Sequence, residues 1–274
     1  MKTISLVLMS NIDHLLCEFA IHKSLQTIHF DEILIFSDKP LSIERDYTFI
    51  KLPEKFGLLD YSVWCIKQLY NFIKTDYFII IQPDGMAINT KFWSDEFFEY
   101  DYIGAPFNTI DPLINSALIN DFDLPQYINK HEYIVGNGGF SFRSKKLLSA
   151  LQDEQILEYS FNTKTKCYIV GEDFQISVIN KQILTEKHGI KIAPVDVAIK
   201  FSTETLCDQG YSFGFHGWQN LPWFLTEDEC LIYLSSMRPK YDLYRLKRFS
   251  GFCYEKDYHR AMHKIVELRE QWRI

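Results

Sequence analysis

The N-terminal third of the chain alternates between short apolar runs and amphipathic segments, a pattern typical of an α/β domain. Runs rich in β-branched and aromatic residues predict strands at residues 4–9, 32–37, 47–50 and 77–81. Between these runs, apolar residues recur at helical spacing and predict helices, over about 13–26 and about 60–73. This order of elements predicts a doubly wound fold, in which helices cover a mixed but mostly parallel sheet.

The strand predicted at residues 77–81 ends abruptly at a polar tetrad, Gln82-Pro83-Asp84-Gly85. A continuous apolar run of this length predicts a strand buried on both faces. Pro83 cannot donate to a sheet ladder, and Gly85 permits a tight backbone turn. Open α/β sheets bind ligands at the carboxyl ends of their strands, which makes Asp84 a candidate binding residue. Taken alone, however, the tetrad is more typical of a solvated turn.

The remainder of the chain has a weaker pattern. It predicts, in order, a strand at 101–106, a loop at 107–131, a glycine turn at 136–139 followed by a strand, helices at 145–152 and about 173–188, an extended segment at 193–201 and a mostly helical tail from residue 227. A loop as long as 107–131 is typical of a flap over a binding site. We therefore expect an α/β domain over residues 1–225, with a helical C-terminal extension over 226–274 packed on it.

Composition and charge exclude some classes of function. The chain has 274 residues, of which 47% are apolar, enough to bury a sizeable core. A net charge of −7 argues against a nucleic-acid binder. Residues 238–274 nevertheless hold 10 Lys or Arg against 5 Asp or Glu. This basic tail suggests peripheral contact with the inner face of a membrane, although a solvated helix face is the commoner meaning of such a pattern.

The cysteines and the apolar runs indicate a cytoplasmic protein. None of the 6 cysteines forms a C-x-x-C pair, and no Cys/His spacing is typical of zinc, which predicts reduced and mostly buried thiols. The first apolar run is too short for a signal peptide, and no run reaches membrane-spanning length. No G-x-G-x-x-G follows the first strand, so a dinucleotide site is not expected.

Three polar clusters are candidates for chemistry. Asp84, with Gln82, stands at a strand end where oxygen ligands can hold Mg²⁺ or Mn²⁺. The glycines at 136–139 allow close approach of backbone to a ligand, although a tight turn explains them as well. Glu172 and Asp173 begin a predicted helix, where acidic residues serve as caps or, in a cleft, as a general base.

The order of these clusters along the chain resembles that of glycosyltransferases of the GT-A fold. The sequence is similar in particular to an uncharacterised bacterial domain family placed with those enzymes. The matching segments are 64–70 (WCIKQLY), 82–85 (QPDG), 101–106 (DYIGAP), 135–144 (VGNGGFSFRS), 172–173 (ED) and 213–217 (FGFHG). The resemblance covers most of residues 60–217 and is specific at the level of the family.

The resemblance implies transfer of a sugar from a nucleotide-sugar donor to a hydroxyl of a glycan or lipid-linked acceptor. It implies inversion at the anomeric carbon and a role in surface glycan or polysaccharide synthesis. By the same resemblance, Asp173 is the general base and Glu172 orients sugar or acceptor hydroxyls. Asp84 and His216 are the implied metal ligands. Because Gln82 replaces the first Asp of the usual D-x-D motif, the Mg²⁺ or Mn²⁺ site is expected to be weak or dispensable.

The expected donor site draws on residues from several segments. They are Lys67, Gln82, Asp84, Gly85, Asn137, Gly138 and Gly139. Two other functions stay open. A non-catalytic glycan- or nucleotide-binding module with a GT-A fold is the main alternative, and the Gln82 substitution motivates it. A nucleotidyltransferase ranks last, because no glycine-rich basic loop follows the first strand.

Overall fold

A computed structural model describes residues 2–109, 133–162, 167–169, 171–205, 210–237 and 243–272. The strands are β1 (Ile4–Met9), β2 (Glu32–Ser37), β3 (Thr48–Lys51), β4 (Tyr77–Ile81), β5 (Gly85–Ala87), β6 (Tyr102–Asn108), β7 (Tyr133–Ser144), β8 (Ser160–Asn162), β9 (Cys167–Ile169), β10 (Ser202–Thr203) and β11 (Gly214–His216). The α-helices are α1 (His14–Thr27), α2 (Leu58–Val63), α3 (Lys145–Ala150), α4 (Glu172–Phe174), α5 (Lys181–Glu186), α6 (Val195–Phe201), α7 (Leu221–Phe224), α8 (Glu227–Ser236), α9 (Leu243–Glu255) and α10 (His259–Trp272).

The main sheet has six strands in the order β3-β2-β1-β4-β7-β6. The first four run parallel, and β7 runs antiparallel to both of its neighbours. All five residues of β4 are buried, as its apolar run predicts. The predicted α/β class with a mixed, mostly parallel sheet is therefore confirmed. The sheet is antiparallel beyond β4, so the central strand lies at the border between the parallel and antiparallel parts.

Helices cover both faces of this sheet, because alternate residues of its strands face opposite sides. Leu6 and Leu8 of β1 pack in a cluster with α1, α6 and the C-terminal helices. Val7 and Met9 pack in a second cluster with α2, α3 and α5. Among the described residues, no helix is both long and apolar enough to cross a bilayer. Cys17, together with the other cysteines whose side chains are described, is free and buried.

Four predictions about local structure differ from the structure. The helix predicted over about 60–73 begins as α2 but continues as a π-helical turn at Trp64–Gln68 and a 3-10 turn at Leu69–Asn71. The glycines at 136–139 lie inside the long strand β7 and do not form a turn. Residues 195–201 form helix α6 and not an extended segment, since the apolar residues Val197, Ala198 and Phe201 line one buried face. The helix predicted over 173–188 is interrupted, because a π-helical turn at Gln175–Ile179 separates α4 from α5. The flap predicted over 107–131 lies mostly outside the described residues.

A second, three-stranded sheet carries part of the candidate site. Its order is β10-β11-β5, with β11 antiparallel to β5. The pairing places His216 opposite Gly85. The C-terminal helix α9 packs behind this sheet, where the rings of Phe249 and Trp218 lie 5.6 Å apart. The small sheet therefore joins the carboxyl end of β4 to the C-terminal helices.

Candidate functional site

Asp84 lies where the main sheet meets the small one. The turn at 82–85 is closed by two backbone hydrogen bonds between Gln82 and Gly85. The backbone amide of Gly217 donates to the carbonyl of Asp84 at 2.8 Å. These bonds connect the end of β4 to β5 and β11. Asp84 is 7% exposed, so its carboxylate stands in a largely desolvated place.

His216 faces the turn from the neighbouring strand. Its Nε2 lies 3.1 Å from Gln82 Oε1 and 3.6 Å from Asp84 Oδ1. Its Nδ1 lies 3.1 Å from Glu204 Oε1. Burial opposes a charge on the imidazole, but the nearby carboxylates of Asp84 and Glu204 outweigh burial and raise the pKa of His216. The ring is thus held with Nε2 toward the turn and Nδ1 toward Glu204.

Glu204 connects this histidine to strand β7. Its Oε2 accepts a hydrogen bond of 2.5 Å from Asn137 Nδ2, and Asn137 Oδ1 accepts one of 3.0 Å from the amide of Gly139. The side chain of Asn220 donates to the backbone carbonyls of Glu204 and His216. Glu204 is buried. Glu204 was not predicted as a site residue, because a single glutamate after the two-residue strand β10 forms no recognisable motif.

The glycines of β7 let these groups come together. A Cβ atom on Gly139 would overlap the imidazole of His216, and one on Gly138 would overlap the carboxylate of Glu172. A Cβ on Gly85 would lie 2.8 Å from the carbonyl oxygen of Gly139. Close approach, and not turn geometry, therefore explains why glycine stands at these positions.

We expect Gly139→Ala to displace His216 from Gln82. Extra volume in a packed site typically costs ~1–3 kcal/mol, which should lower the unfolding midpoint by several degrees. The ¹⁵N shifts of the His216 ring should change at the same time. Gly251→Ala is the matched control, because a Cβ there meets nothing within 4 Å in helix α9. An unchanged midpoint and an unperturbed His216 would contradict the close approach.

On the other side of Gly138 lies the acidic pair. Asp173 Oδ2 accepts from the amide of Gly138 at 3.3 Å, and Oδ1 accepts from the amide of Phe174 at 2.8 Å. Burial, and next the charge of Glu172, raise the pKa of Asp173 to about 7. Its side chain is only partly covered. Asp173 thus combines partial exposure with a pKa suited to proton transfer near neutrality.

Glu172, unlike Asp173, forms a buried ion pair. Its Oε1 forms an ion pair of 2.7 Å with Arg143 Nη2, and both side chains are buried. Arg143 Nε also donates to Ser141 Oγ at 2.9 Å, and the guanidinium lies over the ring of Tyr102. Arg143 was not predicted as a site residue, although a charged residue in the buried strand β7 indicates a buried partner of opposite charge. Glu172 is thereby held against the sheet, where its charge acts on Asp173.

The basic residue near Asp84 is Arg245, and not Lys67 as predicted. Lys67 lies away from Asp84: its ammonium donates to the carbonyls of Leu151 and Asp153, at 2.6 and 3.4 Å, beyond the end of α3. The π-helical turn that carries Lys67 faces those carbonyls, so the predicted role in donor binding is corrected. Arg245 of α9 stands near the turn instead, with Nη1 3.6 Å from Asp84 Oδ2.

A divalent metal is compatible with these residues, but only as a weak site. Asp84 Oδ1 and Gln82 Oε1 both face His216 Nε2, which gives one carboxylate, one amide oxygen and one imidazole. Within the described ranges, no three His, Cys, Asp or Glu side chains form a metal-binding group. Glu204 on the far nitrogen orients the imidazole as carboxylates do behind metal-bound histidines. The donor set therefore fits Mn²⁺ or Mg²⁺ with low affinity.

A cavity of about 370 Å³ opens beside Asp84. It lies between residues 9–13, at the end of β1 and just after it, and the start of α2. Tyr61 and Gln82 line its floor, while Ile12 and Leu58 expose 47% and 64% of their surface. The cavity lining thus combines apolar side chains with the acidic residues Asp13 and Asp84.

Several solved structures are similar to this chain at low identity. Core-mannan synthase A from Aspergillus fumigatus, in its Mn/GDP form, is 12% identical with a TM-score of 0.33, covering 57% of this chain and 62% of its own. Glucosyl-3-phosphoglycerate synthase from Mycobacterium tuberculosis, with Mn²⁺ and uridine-diphosphate-glucose, is 13% identical with a TM-score of 0.40, covering 70% and 68%. A mannosyltransferase from S. cerevisiae with GDP is 11% identical with a TM-score of 0.34, covering 56% and 58%.

The similarity spans less than two thirds of the Aspergillus and yeast chains. No curated protein matches the sequence. A family description does match, and it covers residues 49–218, more than half of the chain, from the strand before α2 to the residue after Gly217. The chain therefore belongs to the family described as "Protein of unknown function (DUF5672)".

Proposed function

We propose that this protein is a glycosyltransferase that moves a sugar from a nucleotide-sugar donor to an acceptor hydroxyl. One observation carries the proposal. Asp173, with a pKa of about 7, and the cluster of Asp84 with His216 flank the same two residues of β7, Gly138 and Gly139. A base and a site for an anion or its metal thus lie on either side of one short stretch of β7. The resemblance of the motifs to GT-A enzymes agrees with this arrangement.

The donor nucleoside fits the cavity beside Asp84. Its volume of about 370 Å³ suits a base and ribose, and the exposed Ile12 and Leu58 offer apolar surface to the base. The diphosphate then extends from the cavity toward Asp84 and His216. A divalent metal, when bound by these residues and Gln82, supplies positive charge to the leaving diphosphate.

The chemical step uses Asp173. The acceptor oxygen forms a bond with the anomeric carbon as Asp173 takes the proton of the hydroxyl. The bond between that carbon and the diphosphate oxygen breaks, and its electron pair leaves with the nucleoside diphosphate. Attack from the side opposite the leaving group inverts the anomeric centre. Glu172 contributes through its charge, which together with burial keeps the pKa of Asp173 high.

The acceptor is proposed to be a glycan or a lipid-linked sugar, in the synthesis of surface glycans or polysaccharides. The basic C-terminal tail is proposed to bring the protein to the inner face of a membrane, where lipid-linked acceptors are found. A non-catalytic binding module remains the second candidate. Gln82 favours it, since an amide brings no charge to a diphosphate-bound metal.

Asp84→Asn tests the donor site. We expect the wild-type protein to bind one member of a panel of UDP- and GDP-sugars in calorimetry with MnCl₂, and to release the nucleoside diphosphate when acceptors are added. Asp84→Asn should remain folded and lose at least tenfold in donor affinity, because the carboxylate near His216 loses its charge. The exposed Asp95→Asn is the matched control. Donor binding by Asp84→Asn at wild-type affinity would refute the assignment, and binding without any transfer would favour the binding module.

A further inference from the structure

We propose that Arg245 of the C-terminal helix α9 binds the diphosphate of the donor and allows donor binding without a divalent metal. This inference rests on the proposed function and names a residue outside the segments that resemble GT-A enzymes. Arg245 Nη1 lies 3.6 Å from Asp84 Oδ2, and 31% of its side chain is exposed. Arg245 is therefore next to the turn at residues 82–85, and part of its side chain is open to a ligand.

Helix α9 is fixed to the segments that form the site. Phe249 packs on Trp218, two residues after His216. Arg248 donates to the carbonyl of Thr205, next to Glu204, at 3.3 Å. Leu246, between the two arginines, and Phe249 are both buried. The position of Arg245 is therefore set by the same packing that positions His216 and Glu204.

The charge of the turn explains why a guanidinium is useful here. A turn with two carboxylates would hold a dication firmly, whereas Gln82 leaves Asp84 as the single carboxylate of the turn. The positive charge that faces the diphosphate is then small unless another cation is present. Arg245 supplies this charge permanently, and a guanidinium offers paired donors that match phosphate oxygens. When a ligand phosphate arrives, Arg245 can bind it while staying close to Asp84.

Binding of nucleoside diphosphates in EDTA tests the proposal. Calorimetry with UDP and with GDP identifies the nucleotide that the wild-type protein binds. We expect Arg245→Gln to weaken that binding by about 10- to 100-fold, and Arg245→Lys to recover part of the loss. Lys247→Gln, which removes an exposed charge from the same helix, should change affinity by less than threefold. Inorganic pyrophosphate should protect wild-type protein, and not Arg245→Gln, against thermal unfolding.

The outcomes separate this proposal from the proposed function. If wild-type protein binds the nucleotide only when Mn²⁺ is added, and Arg245→Gln binds it equally well, Arg245 serves only as a partner of Asp84 and this proposal is overturned. The glycosyltransferase assignment would survive that result. If neither UDP nor GDP binds under any condition, both proposals fail. A common loss of stability and affinity in Arg245→Gln, with no recovery by lysine, would also overturn the proposal in favour of a structural role.

Discussion

Replacing Asp173 with asparagine should reduce the turnover of sugar transfer by about 10²–10⁴, the usual cost of losing a general base. Donor affinity should stay within a few fold of wild type, because Asp173 is held at Gly138 and not at the Asp84 turn. Single-turnover kinetics with the donor identified by calorimetry would measure both quantities. The matched control is Thr226→Ala, which removes the cap of helix α8 and should cost about 1 kcal/mol of stability without changing turnover.

The pH dependence gives an independent test of Asp173. Its pKa of about 7 means that the ionised base forms only as the pH rises through 7, so wild-type turnover should fall on the acid side of that value. The pKa in the folded protein lies above that of an unfolded aspartate, so the protonated form is the one that folding favours. The contribution of protonated Asp173 to the stability of the wild-type protein is therefore complete below about pH 4, and it is lost as the pH rises through 7.

Asparagine keeps the shape of the protonated acid, so Asp173→Asn should be more stable than wild type at pH 8, by ~1–3 kcal/mol, and equal to it at low pH. Denaturant unfolding at several pH values would show this. A variant that unfolds more easily at every pH, and whose folded fraction transfers sugar at the wild-type rate, would show that Asp173 acts only at the start of its helix.

The parts of the fold that could be predicted are those that local pattern specifies. Strand β4 is apolar throughout, and β1 and β2 are nearly so, because helices cover both faces of the sheet, and each was predicted within a residue. Helix α6 was missed because it is a short element whose apolar residues also fit an extended strand. The glycines of β7 were predicted as a turn, since nothing local reveals that side chains from a helix and from another strand fill the space above them.

The candidate site divides in the same way. Asp84 and Asp173 follow recognisable local patterns, a strand end and a helix start. Glu204 and Arg245 gain their meaning only from partners that are distant in the sequence, 67 residues away for the bond from Asn137 to Glu204. For Lys67 the error is the opposite one. Its charge led to a prediction of donor binding, but its ammonium binds backbone carbonyls at a helix end. The hydrophobic periodicity of a sequence indicates which side of a helix or strand a residue lies on. It does not indicate which groups from other elements contact that residue.

Breaking the ion pair between Arg143 and Glu172 should destabilise the protein by about 3–5 kcal/mol, the largest effect on stability that we expect of a single substitution. Both side chains are buried and lie 2.7 Å apart, so Glu172→Ala would leave the guanidinium in a desolvated site without its carboxylate. Arg143→Met would likewise leave the buried carboxylate of Glu172 without its partner. Denaturant unfolding of each single variant would measure the cost.

The double variant Arg143→Met, Glu172→Leu separates the value of the pair from the cost of an unpaired charge. Because buried ion pairs recover little beyond their desolvation, we expect the double variant to be more stable than either single one. Arg260→Ala, which breaks two ion pairs of an exposed arginine, should leave the unfolding midpoint nearly unchanged. The double variant removes the charge of Glu172, which raises the pKa of Asp173, and the smaller opposing effect of Arg143, so the transfer activity of this variant should extend to lower pH. Losses in the single variants that simply add in the double variant would show that Arg143 and Glu172 do not act as a pair.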